Sequence, residues 1–249
     1  MELLTDIHHH LVFGVDDGSK SVEMSMDMVR AASRQGISDI VCTAHTIPGH
    51  HELDVDQYIG NFSDLENRIQ KEKIPVKLIP GAEIMYTEKT LKTIKSGISP
   101  RLGYGNYVLV EFLPDVPFDL MQSAIGEITY SDIGVVLSHV ERYNALSDMS
   151  RIAELRDSYE VAIQMNASAV LTAGKLLPVS GIRIHRMLKE HLVDVVASDA
   201  HNDKNRACNL RAAYDFLCEK YGKEYALEIC RTRPMQILGL DSCSERIED

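Results

Sequence analysis

Short apolar runs alternate with helix-patterned stretches along the whole chain. The runs predict seven strands, at 4–10, 39–45, 76–83, 107–112, 134–139, 162–166 and 194–199. They are nearly continuous in apolar residues rather than alternating, as expected of strands covered on both faces. Between the first two, Val22, Met26, Val29 and Ala32 fall at helical spacing, with Gly36 as the stop. Between the second and third, Ile59, Phe62, Leu65 and Ile69 form another stripe, and Asp54-Val55-Asp56-Gln57 reads as the start of that helix. Two further helices, 208–221 and 224–232, precede a charged tail, 241–249, that is expected to fray. The string is that of an α/β protein with a parallel sheet under helices. Seven such units suggest a barrel, and an open sheet fits the same string. No Gly/Ser/Pro-rich linker divides residues 1–240, which read as one domain.

Polar residues interrupt the apolar runs at one place, their ends. The first run finishes in His8-His9-His10, the second in Thr43-Ala44-His45 and the third in Gly81-Ala82-Glu83. Val110-Glu111, Ser138-His139 and Ser198-Asp199-Ala200-His201 follow the same habit. In a parallel barrel these ends gather on one face, where active sites lie. Imidazoles and carboxylates together suit several borderline-to-hard divalent cations. His8 and His10 are two apart and point the same way on a strand, with His9 opposite; Asp199 and His201 repeat that spacing.

Each residue alone has a plainer role. A single strand-end His caps or hydrogen-bonds more often than it ligates, and Glu83 or Glu111 alone reads as a helix-start carboxylate. Together they favour cations, because buried carboxylates on neighbouring strand ends repel one another without positive charge between them. His9 reads as a support for its neighbours. His50, His51, His185 and His191 read as loop or helix-surface residues with no ligand role. Met24, Met26 and Met28 read as core filler.

Charge narrows the function. Against 26 Lys and Arg stand 37 Asp and Glu, a net −11, which argues against a nucleic-acid backbone as partner. Met1-Glu2-Leu3-Leu4-Thr5-Asp6 lacks a signal-peptide pattern, and no apolar run is long enough to span a bilayer. Five cysteines, odd in number and without metal-type spacing, point to a reduced, cytoplasmic setting. No Cys has an Arg six positions later, so the thiolate loop of Cys-dependent phosphatases is missing. There is no nucleophile elbow or phosphate-binding Gly-Lys-Ser/Thr loop, and Leu102-Gly103-Tyr104-Gly105 reads as a turn.

Asp6-Ile7-His8-His9-His10, with Val15-Asp16-Asp17-Gly18 close behind, resembles the opening of the polymerase and histidinol phosphatase (PHP) superfamily. The resemblance implies a distorted (β/α)7 barrel of the PHP type. The chain is more closely similar to the bacterial manganese-dependent protein-tyrosine phosphatases of capsule and exopolysaccharide operons. The motifs that carry this are Gly81-Ala82-Glu83-Ile84, Val110-Glu111-Phe112, His139-Val140-Glu141-Arg142-Tyr143 and Ala197-Ser198-Asp199-Ala200-His201-Asn202. The likeness runs in order from about residue 5 to about residue 240.

It implies three divalent cations, Mn²⁺ by preference, with Fe²⁺ or Zn²⁺ as alternatives. His8, His10, Glu83 and Asp199 would hold one; Glu83 would bridge to a second shared with Glu111 and His139. Asp17, His45 and His201 would hold the third. Asp17 rather than Asp16 matches, because the ligand position directly precedes Gly18. Arg142 and Arg206 correspond to residues that grip the substrate phosphate, where plain surface arginines would otherwise be read. The implied reaction is phosphotyrosine hydrolysis by direct attack of a metal-bound hydroxide, on a membrane tyrosine autokinase of polysaccharide synthesis. No general acid is assigned, since a phenol of pKa about 10 leaves readily. One departure is Thr46-Ile47-Pro48-Gly49-His50-His51, where some relatives carry basic residues; that loop bears on peptide recognition. A small-molecule phosphoesterase such as a histidinol-phosphate phosphatase shares these ligands. A non-catalytic metal-binding regulator is the other reading, and it fits poorly with a full set of ligand positions.

Overall fold

Seven strands, all parallel, lie side by side in chain order: β1 (Leu4–His9), β2 (Ile37–Thr46), β3 (Lys77–Met85), β4 (Tyr107–Glu111), β5 (Gly134–Leu137), β6 (Val161–Asn166) and β7 (Val195–Ala197). The computed structural model describes residues 1–97, 100–173 and 179–240. The predicted frayed tail lies outside the described residues. Between the strands run α1 (Val22–Arg34), α2 (Val55–Glu72), α3 (Thr90–Lys95), α4 (Phe118–Thr129), α5 (Ser150–Ser158), α6 (Ala167–Val170) and α7 (Val179–Lys189). After β7 come α8 (Leu210–Tyr221), α9 (Lys223–Leu227), one π turn (Glu228–Thr232) and α10 (Arg233–Ile237).

The sheet curls into a nearly closed barrel, the first of the two arrangements that the strand pattern allowed. β1 and β7 meet through a single bridge, His9 to Ala200. Two backbone bonds flank it: His10 N–H donates to the Ala200 carbonyl, and Asp199 N–H to that of His8, both at 2.9 Å. Inside the barrel Ile7, Val41, Ile79, Leu109, Val136, Ala162 and Val195 pack together, plugged from below by Leu102, Ile237 and Leu238. Burying each larger aliphatic side chain contributes about 1.5–3 kcal/mol. A second apolar layer lies between the strands and the helices.

The helices start and stop for local reasons. Ser21 caps α1, its hydroxyl accepting from Met24 N–H, and Gly36 follows the end at φ +75°, as its predicted role as a stop requires. Met26 and Met28 are buried core. Asp54 caps α2 by accepting from Gln57 N–H. The α2 stripe differs at one place: Ile59 is exposed, and Tyr58 takes the inward position with its hydroxyl donating to the Cys42 carbonyl at 2.7 Å.

Strand ends also differ from the pattern. β5 stops at Leu137 and β7 at Ala197, because His139 (φ +32°) and Asp199 (φ +53°) take left-handed backbone conformations that leave the ladder. Asp199 and His201 therefore do not share a face through strand alternation. In β1, a register shift between Asp6 and His9 interrupts the ladder with β2, and His8 and His10 turn to the same side with their Nε2 atoms 3.2 Å apart.

Candidate metal centre

The register of the central strands sets the first contacts. β2 and β3 pair with His45 opposite Glu83, and β3 and β4 with Met85 opposite Glu111. Glu83 is thereby held at the barrel mouth, 1% exposed, with one oxygen toward each of two groups. Its Oε2 lies 2.9 Å from His8 Nε2 and 3.2 Å from His10 Nε2; its Oε1 lies 2.9 Å from His139 Nε2. Asp199 Oδ1 completes the first group at 3.4 Å from His8 Nε2.

Glu111 Oε2 stands 3.4 Å from His139 Nε2, and Glu111 Oε1 stands 3.1 Å from His45 Nδ1. At the rim Asp17 Oδ1 is 3.4 Å from both His45 Nε2 and His201 Nε2, and the tilted His10 and His201 rings have centroids 3.8 Å apart. Three sets of donor atoms thus converge: His8, His10, Glu83 and Asp199; His45, Glu83 and Glu111; and His10, Asp17, His45 and His201. His45 lies between the second and third sets rather than in the third alone, and His139 abuts both carboxylates of the second.

Three imidazoles are aimed by acceptors behind them. His8 Nδ1 donates to Gln164 Oε1 at 3.2 Å, His10 Nδ1 to Asp16 Oδ2 at 2.8 Å, and His201 Nδ1 to the Asp199 carbonyl at 3.0 Å. With Nδ1 donating outward, each ring turns Nε2 inward, the nitrogen through which a neutral imidazole in this tautomer binds a metal. His201 Nε2 is buried without a hydrogen-bond partner. Lone pairs facing carboxylates in a buried space call for cations, so the donor set fits divalent metals.

The electrostatics agree. Burial pushes the Glu83 and Asp199 carboxyls up, but the surrounding imidazoles, His8 first, outweigh it and hold both below the ordinary carboxylate range. Burial opposes charge on His10 and His139, yet hydrogen bonds to Asp16 and Glu83, and to Glu111 and Glu83, raise each to about 9. His201, buried and beside His10, is lowered to about 4. Asp16 does not join the converging donor atoms; it accepts from His10, Gly18 N–H and His45 N–H, which hold it at about 2 against its burial.

Arg142 and Arg206 flank the opening. Arg142 Nη2 donates to Asp199 Oδ2 at 2.6 Å, and Arg206 Nη2 reaches both Asp199 oxygens at 3.1 Å. Both guanidiniums are half-exposed. A cleft of about 510 Å³ opens at the mouth, lined by Asp16, Asp17, His45, Ile47, His51 and Glu111. Next to it an apolar groove of about 570 Å³ runs along Ile47, Met85, Tyr86, Phe112 and Leu113. His50, His185 and His191 are exposed; His51 is exposed too but lines the cleft.

The profile of the capsular polysaccharide synthesis family CpsB/CapC matches residues 4–239. The chain belongs to the CpsB/CapC family. The tyrosine-protein phosphatase CpsB of Streptococcus agalactiae is 32% identical to this CpsB/CapC chain over 239 residues, covering 94% of this chain and 98% of that protein. The tyrosine-protein phosphatase YwqE of Bacillus subtilis is 28% identical over 230 residues, 89% of this chain and 86% of that one. A crystal structure from work on YwqE and on CpsB of Streptococcus pneumoniae, described as metal-dependent tyrosine phosphatases, superposes with a TM-score of 0.85. It is 26% identical and covers 95% of each chain.

Sequence reasoning passed over part of this CpsB/CapC site. Gln164 on β6 accepts from His8 Nδ1 and from His139 N–H, and passes a hydrogen bond to Asn166, which donates to Asp199 Oδ2 at 2.8 Å. The sixth strand had looked free of site residues because it ends without His, Asp or Glu. Two polar residues at i and i+2 of Val161–Asn166 were the available signal.

Proposed function

We infer that this CpsB/CapC chain is a metal-dependent protein-tyrosine phosphatase of capsule synthesis, with three divalent cations, Mn²⁺ by preference, in the barrel mouth. Its substrate is a phosphoprotein, which we take to be a membrane tyrosine autokinase reached from the cytoplasmic side. The observation that carries the reading is the convergence of five imidazoles and four carboxylates, Glu83 among them, with Arg142 and Arg206 at the rim.

His8, His10, Glu83 and Asp199 would hold one cation, Glu83, Glu111 and His139 a second, and Asp17, His45 and His201 a third. Bound divalent cations supply a water of near-neutral pKa and draw charge from phosphoryl oxygens. Arg142 and Arg206 bind the remaining oxygens, exchanging part of their hold on Asp199 for the substrate's phosphate; a planar guanidinium grips two oxygens at once. They also neutralise charge that grows as the ester bond breaks. The chain itself need not protonate the leaving phenolate strongly, given its pKa of about 10.

Two further observations bear on the substrate and on the compartment. The apolar groove beside the cleft suits an aromatic ring and its flanking residues, and Ile47 lines both. Among the described residues no helix is long and apolar enough to cross a membrane, and Cys42, Cys208, Cys218 and Cys230 are free thiols, in keeping with a reducing compartment.

The test is phosphate release from a phosphotyrosine peptide, a phosphoserine peptide and histidinol phosphate, each with Mn²⁺ and with EDTA. Mn²⁺-dependent turnover selective for phosphotyrosine is expected. Preference for histidinol phosphate, or turnover that survives EDTA, would overturn the reading.

A further inference from the structure

His9 sits between two proposed ligands, yet it faces away from them. Its ring is fully buried, and neither Nδ1 nor Nε2 has a hydrogen-bond partner. Its backbone is accounted for, the N–H donating to Thr43 Oγ1 at 2.9 Å. On that outer side of β1 stand Asp6, fully buried, and Cys208, partly exposed in the loop before α8. One donor atom from each of the three residues lies within 4.8 Å of the other two.

The details of Asp6 sharpen the picture. Its Oδ1 accepts from Ser198 N–H at 2.9 Å and from His8 N–H at 3.4 Å, which fixes the carboxylate. Its Oδ2 is turned to Cys208 Sγ at 3.7 Å. Zinc bonds of about 2.3 Å to sulfur and about 2.0–2.2 Å to oxygen, at a tetrahedral angle, separate the two ligand atoms by roughly 3.6 Å. One imidazole, one thiolate and one carboxylate is a ligand set suited to Zn²⁺ and poor for Mn²⁺ or Mg²⁺.

We propose that Asp6, His9 and Cys208 form a separate Zn²⁺ site on the outer face of β1, back to back with the catalytic centre. Binding releases the Cys208 thiol proton to solvent, leaves the Asp6 carboxylate held by its two backbone donors, and gives the unpartnered His9 ring a partner. Three protein ligands leave a fourth tetrahedral position for water. The site ties the strand that carries His8 and His10 to the loop that carries His201 and Arg206, two residues before Cys208. It stands independently of the phosphatase reading, since it uses none of the residues assigned to hydrolysis.

The sulfur makes it distinguishable. Every donor in the barrel mouth is nitrogen or oxygen, so Co²⁺ bound there gives no thiolate-to-metal absorption. After stripping the full chain and reloading it with Co²⁺, we expect that near-ultraviolet band, and its loss in Cys208→Ser together with one equivalent of bound metal. A wild-type protein without the band, or a band that persists in Cys208→Ser, overturns the proposal. A second measurement needs no variant: alkylation of Cys208, followed by peptide mass spectrometry, is slowed by Zn²⁺ and not by Mn²⁺. Equal rates with and without Zn²⁺ overturn it as well.

Discussion

The Nε2 atoms of His8 and His10 face each other at 3.2 Å, and both reach the same oxygen of Glu83. With Nδ1 of each ring already donating to Gln164 or Asp16, the inward nitrogens meet Glu83 through a proton or a metal ion and cannot both satisfy each other. Only positive charge relieves that arrangement, and Glu83 is its hub. Glu83→Gln removes the hub's negative charge while keeping its shape. Even residues that merely support ligands cost about 10–100-fold in metal affinity or activity when replaced. We therefore expect a loss of more than about 100-fold in phosphotyrosine hydrolysis, with a folded circular-dichroism spectrum and fewer bound metals by elemental analysis. Full activity in this variant would remove Glu83 from the site.

Arg142 and Arg206 both hold Asp199 and both are half-exposed, so they are free to exchange partners when a phosphate enters. Arg206→Ala and Arg142→Ala should each lower kcat/KM by about 10²–10³-fold, the usual cost of losing one preorganised donor to a developing oxyanion. Metal content should stay near that of the parent protein. Lys at either place should restore little, because it lacks the two-pronged fork. Steady-state kinetics on a phosphotyrosine peptide decide the matter, and unchanged kinetics would return these residues to the plain surface.

Stripped of metal, the centre should be sensitive to alkali. His10 and His139 keep their protons to about pH 9, against about 6.5 in an unfolded chain. A raised imidazole pKa stabilises the fold fully below pH 6.5, and that contribution is lost as the pH rises through 9. Thermal melts in EDTA should show Tm falling between pH 7 and 9.5. Melts with Mn²⁺ should not show this fall, since the cation replaces the protons. A flat profile in EDTA would contradict the proton-filled arrangement.

Gly18 follows the Asp pair because nothing larger fits. A Cβ there would lie 2.5 Å from both the Cβ and the backbone oxygen of His10. Gly18→Ala forces that segment apart, at a cost of about 1–3 kcal/mol typical of overpacking. It should also weaken the hydrogen bond from Gly18 N–H to Asp16 that helps aim His10. Denaturant unfolding and Mn²⁺ titration of the variant test both effects; wild-type stability and affinity would show that the loop yields freely.

Much of the barrel and its mouth was legible in the sequence, because burial writes itself as apolar runs and a cation site writes itself as charge where those runs stop. His8, His45, Glu83 and Glu111 follow that rule directly, standing in or beside the ladder. His139 and Asp199 obeyed it for a different reason. They lie past the ladder in left-handed turns, a conformation that costs on the order of 1–3 kcal/mol and is invisible to hydrophobic periodicity. Gln164 and Asn166 escaped because uncharged amides carry no signature of a cation site, though they set the tautomer of His8 and the pose of Asp199. Tyr58 in place of Ile59 escaped because its inward turn depends on one long-range acceptor, the Cys42 carbonyl.

Among the described residues, the first and last strands join over the short stretch around His9 and Ala200. On one side of that join stand His8 and His10, on the other Asp199 and His201. Cations gripped across it act as a clasp on a ring, and binding that favours the closed ring stabilises it by mass action. On that reading a chelator would do more than silence such a protein: it would loosen the ring, and a cell short of the right metal would hold fewer closed molecules rather than the same number of idle ones.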